Sequence, residues 1–489
     1  MQQRTLAPKM SEQENISNSS RQPGAANADE ASSRLSGVIL FVYCATLVLS
    51  VVAFGAVDLW ALSVLALLSG FIAVLWFSDT WLNKEFRFSS NPLQFCLLGL
   101  IVIGIIQLLP LRSLGISTDL LSVPAVSTLS LAPYSTRLAV VQLVIYLILF
   151  AAALVFINSM KRLRKIVLTV IIFGSLMAFF GILQRFVNPE MIYGYRLPNQ
   201  ANPFGSYING HHFAAFLEMT IGLALGFLFS RATDKNWRLF MMIPVIVMGI
   251  AIILTSSRGG MLSLLAVVGF IVMANVLQKP ASETDSPNDN KNYRRAFAFI
   301  GGGLGLILVL FSVVLLLSGD EFLLRGVGLG TQSDISNGRT HFWQIAWRIF
   351  LDYPIIGAGL DSYGYAYPNY DTWNGMFRVE QAHNDYLQIL ADAGILGFGC
   401  AAAFIYLLFK HGLRNIRQSS DSFRRNTAVG ALAGCCGILI HSFFDFPLRT
   451  PSNALFFLTF TVLATVSINT PKRLRRKNKK HRTSPSVQK

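Results

Sequence analysis

Apolar residues in this chain come in long unbroken runs, and the runs recur from end to end. Twelve can be drawn, at 36–54, 59–77, 92–109, 137–157, 166–183, 207–229, 239–254, 260–277, 297–317, 385–409, 427–444 and 453–469. Each is long enough for a bilayer core of about 30 Å. The pattern predicts an all-α polytopic membrane protein of about 12 transmembrane helices. The connections 78–91, 158–165, 230–238, 278–296 and 410–426 are short and mostly basic, whereas 110–136 and 184–206 are longer. The longest connection, 318–384, is the one segment able to form a small extramembrane unit. The chain therefore divides into a polar tail at 1–34, helices 1–9 over 35–317, the long loop 318–384, helices 10–12 over 385–469, and a basic tail at 470–489.

Within the long loop, NGRTHFWQIAWRIFLDYP predicts a short helix near 338–350, with Asn337 as N-cap and Pro354 as the stop. Trp343, Trp347, Arg339 and Arg348 suit a helix lying at the headgroup level. The Gly- and Tyr-rich stretch after it reads as a turn region packed on that helix. No repeat of fixed period is visible.

Composition agrees with the runs. Charged residues make up 13% of the chain and mean hydropathy is +0.50, against roughly 25% charged for a soluble domain. The first 34 residues are Ser-, Asn- and Gln-rich and lack the order of a signal peptide, so they read as a disordered inner tail. All five cysteines lie in apolar segments, without metal-ligand or disulfide-framework spacing.

Charge changes the picture more. Alternating the loops from a cytoplasmic N-terminus puts all 13 Lys inside and leaves 10 Arg, and no Lys, on the outer loops and outer span ends. The inner clusters follow from the orienting rule for basic residues, so the net charge of +16 is no nucleic-acid footprint. The C-terminal run KRLRRKNKKHR reads as a topogenic or lipid-binding tail. The outer arginines work against the rule. Guanidinium forks match phosphate oxygens in pairs, which suggests outer-face chemistry on a lipid pyrophosphate.

Three polar elements interrupt the apolar pattern at outer span ends. AHNDYLQILADAGILG, residues 382–397, puts His383 and Asn384 where the long loop enters the tenth run, with Gly394 and Gly397 following. A polar cluster there is costly unless paired, and a histidine accepts a proton near neutral pH; the plainer reading is an end cap. TSSRGGMLSLL, residues 255–265, puts Arg258 and two glycines at a helix start, an anion site or a tight turn with a snorkelling arginine. NPFGSYINGHHFAAFLEM, residues 202–219, puts His211 and Glu218 seven apart on one face, the carboxyl near mid-membrane. Arg185, Arg196, Arg339 and Arg449 are further outer arginines that spacing cannot rank. No outer D-x-D pair and no H-E-x-x-H occurs, so neither a metal nor another cofactor is expected.

Over roughly residues 200–445 these blocks resemble the O-antigen ligase/O-antigen polymerase superfamily of bacterial inner-membrane proteins. Its H-[NSQ]-x9-G-x-x-G element matches His383, Asn384, Gly394 and Gly397, and its S-R-[GS]-G turn matches Ser257 to Gly260. Asn209 to Ala214 looks like its N-H-F-A element. Arg339, Trp343 and Pro354 to Gly359 look like its R-x-x-x-W and P-I-I-G-x-G stretch. The resemblance implies a periplasmic-face glycosyltransferase that takes a glycan from an undecaprenyl-pyrophosphate carrier to a lipid A–core or glycan acceptor, inverting and metal-free. It implies His383 and Arg258 as catalytic, and Arg196, Arg339, His211 and Asn384 as substrate-binding. Ligase and polymerase differ in acceptor and are not separable here. The alternative is a membrane transporter of the inorganic-carbon type, which should show repeated halves. A structural protein with a decayed site is a third reading.

Overall fold

The computed structural model describes residues 23–112, 127–198, 201–229, 235–276, 338–373 and 379–468. The expected ninth span 297–317, the inner loop 278–296, Asn337, Arg325, Arg378 and the tail from 470 lie outside them. Among the described residues the chain is all-helical, with no strand. The helices are α1 (Pro23–Val52), α2 (Leu59–Asn83), α3 (Leu93–Gln107), α4 (Pro133–Phe156), α5 (Met160–Val187), α6 (Gly210–Leu228) and α7 (Lys235–Leu254). After them come α8 (Arg258–Val276), α9 (Arg339–Asp352), the short α10 (Tyr363–Ala366), α11 (Asp385–Gln418), α12 (Ser422–His441) and α13 (Pro451–Thr465). Among the described residues, eight helices are long and apolar enough to cross a membrane, while α3 and α13 are shorter apolar helices. The protein is a multi-pass membrane protein.

Helix starts follow local chemistry. Asn209, Asn384 and Asp421 accept backbone N–H bonds in the first turns of α6, α11 and α12. Proline at the first helical position opens α4 and α13. Two boundaries differ from expectation. The first helix starts at Pro23, inside the segment expected to be a disordered tail. The cap position of α9 is Gly338, at φ 80°, rather than Asn337. The basic stretch 414–425 is also mostly helical, because α11 runs on to Gln418 and Asp421 restarts the chain as α12.

The bundle is organised around α6, α12 and α13, which are buried along almost their whole lengths. Gly222 and Gly226 of α6 face Gly430 and Gly434 of α12 so closely that a Cβ on Gly226 would lie 2.7 Å from the Gly430 Cα. Both pairs have the G-x-x-x-G spacing that lets two helix backbones touch in lipid. At the far end of α12, the buried Arg424 donates to the carbonyls of Leu463 and Ala464 at the end of α13, a cation on a helix C-terminus. By contrast α2 turns Leu67, Val74, Phe77 and Trp81 outward. The starts of α6, α8 and α11 and the end of α12 meet at one end of the bundle, and the polar residues collect there.

Candidate active site

His383 precedes α11 in a left-handed conformation, φ 52°. The cap of α11 is not His383 but Asn384, whose Oδ1 accepts from the Tyr386 and Leu387 N–H groups while its Nδ2 donates to the Phe443 carbonyl. The His383 ring is freed from the helix end and turned towards the segment after α12. Its Nδ1 lies 3.0 Å from Asp445 Oδ1. Burial alone would raise the Asp445 carboxyl; the His383 hydrogen bond and the neighbouring His212 and His211 outweigh it and hold the group well below the usual carboxylate range. An ionised carboxylate only accepts, so Nδ1 carries the proton and Nε2 is left as the proton acceptor. Phe446 meets the imidazole edge-on at 4.8 Å, and Phe342 of α9 stacks on it at 5.9 Å. The His383 side chain keeps 30% exposure while Asp445 has 2%. The ring is thus held on three sides and open on the fourth.

A second histidine–carboxylate pair lies deeper. His441, on the last turn of α12, places Nδ1 at 2.9 and 3.2 Å from the two oxygens of Glu218 in α6. Both side chains are sealed, at 1% and 0% exposure. Glu218 is therefore paired with another span. The start of α8 rests on this pair. A Cβ on Gly259 would sit 2.8 Å from the His441 ring, and one on Gly260 would sit 3.2 Å from Glu218 Oε1. The two glycines after Arg258 thus serve close approach, and Ser257 Oγ accepts the Gly260 N–H. Arg258 itself is exposed as the first residue of α8.

The P-I-I-G stretch and the G-x-x-G element turn out to be one structural feature. Helix α11 breaks at Gly394, φ 63° and ψ −163°. Segment 354–359 is threaded into the break: Ile395 N donates to Pro354 O, Leu396 N to Ile355 O, and Ala358 N to Ala391 O. Gln107 of α3 seals the junction by donating to the Ile356 and Asp392 carbonyls. The backbone of Ile355 and Gly357 approaches Gly394 too closely for any side chain there. Below it, Arg449 bridges the buried Asp392 at 2.5 Å and Asp361 at 3.4 Å. Helix α9 packs Ile345, Ala346 and Ile349 against Tyr363, Tyr367 and Ala391. Its Trp343 Nε1 donates to the His383 carbonyl, while Trp347 is exposed.

The expected site residues separate into two groups. His383, His211 and Arg339 come together: His211 is within electrostatic reach of Asp445, His441, Arg339 and His383. Arg258 joins them through the contact of its neighbour Gly259 with His441. Arg196 does not. Its guanidinium forms a fork with Asp58, at 2.5 and 3.0 Å, and lies 4.2 Å over the Phe54 ring, at the turn between α1 and α2. Asn384 is present, with its amide used in the cap. Sequence reasoning missed Asp445 and His441 as partners. The signal for Asp445 was its place in FDFPLRTP, an acid among apolar residues. His212, next to His211, hydrogen-bonds Thr450 Oγ1 at 2.8 Å. Its Nε2 and Asp445 Oδ2 are buried atoms with no hydrogen-bond partner among the described residues.

Residues 243–402 match the O-antigen ligase family. The matched stretch contains Arg258, Arg339, His383, Asn384 and Gly394, which carried the resemblance in the sequence. It ends before His441, Asp445 and Arg449. No curated protein matches the chain. The family match supports an enzyme of the O-antigen ligase or polymerase type.

Proposed function

With the O-antigen ligase match as premise, we propose that the chain is a glycosyltransferase of the periplasmic face of the bacterial inner membrane, with both termini in the cytoplasm. It moves a glycan from an undecaprenyl-pyrophosphate carrier to a sugar hydroxyl, on lipid A–core or on another glycan. The observation that carries the reading is the His383–Asp445 pair. It leaves one imidazole nitrogen free to accept a proton at an open polar rim, and it stands in the same cluster as Arg339 and the Arg258 end of α8.

The reaction is a single displacement. His383 Nε2 takes the proton of the acceptor hydroxyl as that oxygen forms a bond to the anomeric carbon. The bond from that carbon to the pyrophosphate oxygen breaks on the opposite face, so configuration inverts. The carrier leaves with the electron pair as a free lipid pyrophosphate. Arg258 and Arg339 stabilise the growing charge from the solvent-facing edge of the cluster, without a metal. Asp445 holds the imidazole in its acceptor tautomer and stabilises the imidazolium that forms.

Reconstitution tests the reading. The protein in liposomes with a lipid-linked glycan donor and a glycan acceptor should lengthen the acceptor, release lipid pyrophosphate and keep its rate in EDTA. No transfer to any hydroxyl acceptor, or a rate lost to EDTA and restored by Mg²⁺ or Mn²⁺, would overturn it or its metal-free chemistry.

A further inference from the structure

A third histidine–carboxylate pair lies in the unit built on the long loop. His341, in the first turn of α9, places Nε2 2.8 Å from Asp371 Oδ1. The same oxygen accepts the Trp373 N–H at 3.0 Å and the Tyr367 hydroxyl at 3.3 Å. The His341 bond, joined by those two, holds the Asp371 carboxyl below its ordinary value, so it accepts and Nε2 donates. The mechanism above makes no use of this pair.

Its structural effect is to pin an indole. The Trp373 ring lies 4.2 Å from the His341 imidazole, with 8° between the two planes. Gly338 admits the edge of the indole, because a Cβ there would lie 2.9 Å from Trp373 Cη2. Phe342 meets the indole edge-on at 5.9 Å and stacks on the His383 ring at 5.9 Å, so a single aromatic ring separates Trp373 from the proposed base. One face and one edge of the indole are thus fixed by protein, yet Trp373 is 47% exposed. The exposed Trp347 stands about 120° round α9 from His341, so the pinned indole is separate from any anchoring face that Trp347 provides.

A rigid, neutral, open indole suits one class of ligand. The C–H groups on one face of a pyranose carry partial positive charge and meet the negative face of an aromatic ring. Fixing the aromatic ring in advance removes its ordering cost from binding. A phosphate gains nothing there, since it needs donors or cations. We propose that Trp373, backed by His341 and Asp371, is a stacking platform for a sugar ring of a glycan that reaches His383. The ring belongs to the donor glycan or to the acceptor glycan, which share this chemistry. The assignment rests on the transferase reading, but binding can be tested without turnover.

The full-length protein would carry 5-fluorotryptophan in phosphatidylcholine nanodiscs, and the fluorine resonance lost in Trp373→Phe is that of Trp373. Millimolar oligosaccharides released by mild acid from the surface glycans of the source bacterium should shift this resonance, and inorganic pyrophosphate should not. A nitroxide on the lipid headgroups should broaden it less than the resonance of Trp347. No shift with oligosaccharide overturns the proposal, and broadening equal to that of Trp347 would then identify a bilayer anchor. A shift with pyrophosphate instead overturns it too. In transfer assays Trp373→Leu should raise one KM about tenfold with kcat unchanged, and Trp373→Phe should restore most of the loss. The substrate whose KM rises is the source of the stacked ring. Leucine serving as well as tryptophan would show that no aromatic face is needed and would end the proposal. Oligosaccharide shifts without any transfer would sink the transferase reading and leave the platform standing. Transfer with neither a shift nor a KM effect would sink the platform alone.

Discussion

Two histidine–carboxylate pairs sit within one polar cluster, and they have opposite surroundings. His383–Asp445 lies at the rim, its imidazole 30% exposed and in a left-handed backbone conformation. Glu218–His441 is sealed between α6, α8 and α12, at 0% and 1% exposure. The bonds have nearly equal length, 3.0 and 2.9 Å, so geometry of the pair alone does not separate them. Access does. A proton can reach the first ring from a substrate hydroxyl. The second is packed against helix backbone at Gly259 and serves to hold three helix ends together. A buried ion pair is weak evidence of stability when intact, but removing one partner leaves an uncompensated group and is expensive.

The comparison breaks or sharpens under mutation. The largest effect is expected at the rim. His383→Asn keeps a residue that accepts the left-handed conformation but has no base, and should lower transfer by about 10²–10⁴ with an unchanged thermal midpoint in nanodiscs. Near-normal turnover would make His383 a loop residue and end the mechanism proposed for it. Glu218→Ala should behave in the opposite way. It should cost about 3–5 kcal/mol of stability, read as a lower unfolding temperature and poorer insertion, and replacing both partners with leucine should recover much of that. If Glu218→Ala is as stable as the parent but inactive, the deeper pair is part of the chemistry.

Smaller effects test the supports. Asp445→Asn removes the charge and adds an amide donor, so the tautomer is no longer set by a group that only accepts, and kcat should fall by about 10–100-fold with KM nearly unchanged. Loss of folding without a kcat effect in the surviving protein would make Asp445 a scaffold residue. Arg196→Ala should change stability by about 1 kcal/mol or less, because its fork to Asp58 is partly exposed, and should leave transfer intact. A large loss of transfer there would return Arg196 to the substrate site and draw the turn between α1 and α2 into it.

The same contrast explains what could be read in advance. The rim was legible: His383, Arg258 and the glycines after them are polar or small residues in apolar runs, and such exceptions stand out by their cost. The helix caps were legible only to within a residue: Asn337 and His383 were the expected caps, and Gly338 and Asn384 hold those positions. The partners were not legible. Asp445 is 62 residues from His383, and His441 is 223 residues from Glu218. Arg196 and Arg339 look alike as outer arginines, and only the fold sends one to Asp58 and the other to the histidines.

The sequence by itself determined the all-helical membrane class, the positions of most helices, and the short polar elements at their ends. These follow from local properties: burial cost per residue, cap chemistry and the length a bilayer demands. Tertiary structure decided which elements became neighbours. In lipid the apolar faces of all helices are nearly equivalent, so hydropathy cannot choose among them. The choice falls to backbone contact between the glycine pairs of α6 and α12 and to the insertion of 354–359 at Gly394. Those two contacts bring Glu218 to His441 and carry segment 354–359 up to α11, whose start is tied beside the end of α12 by the bonds of Asn384 and Asp385 to Phe443 and Ser442. The separation of one histidine for access and one for burial is made there, by packing that no single stretch of the chain encodes.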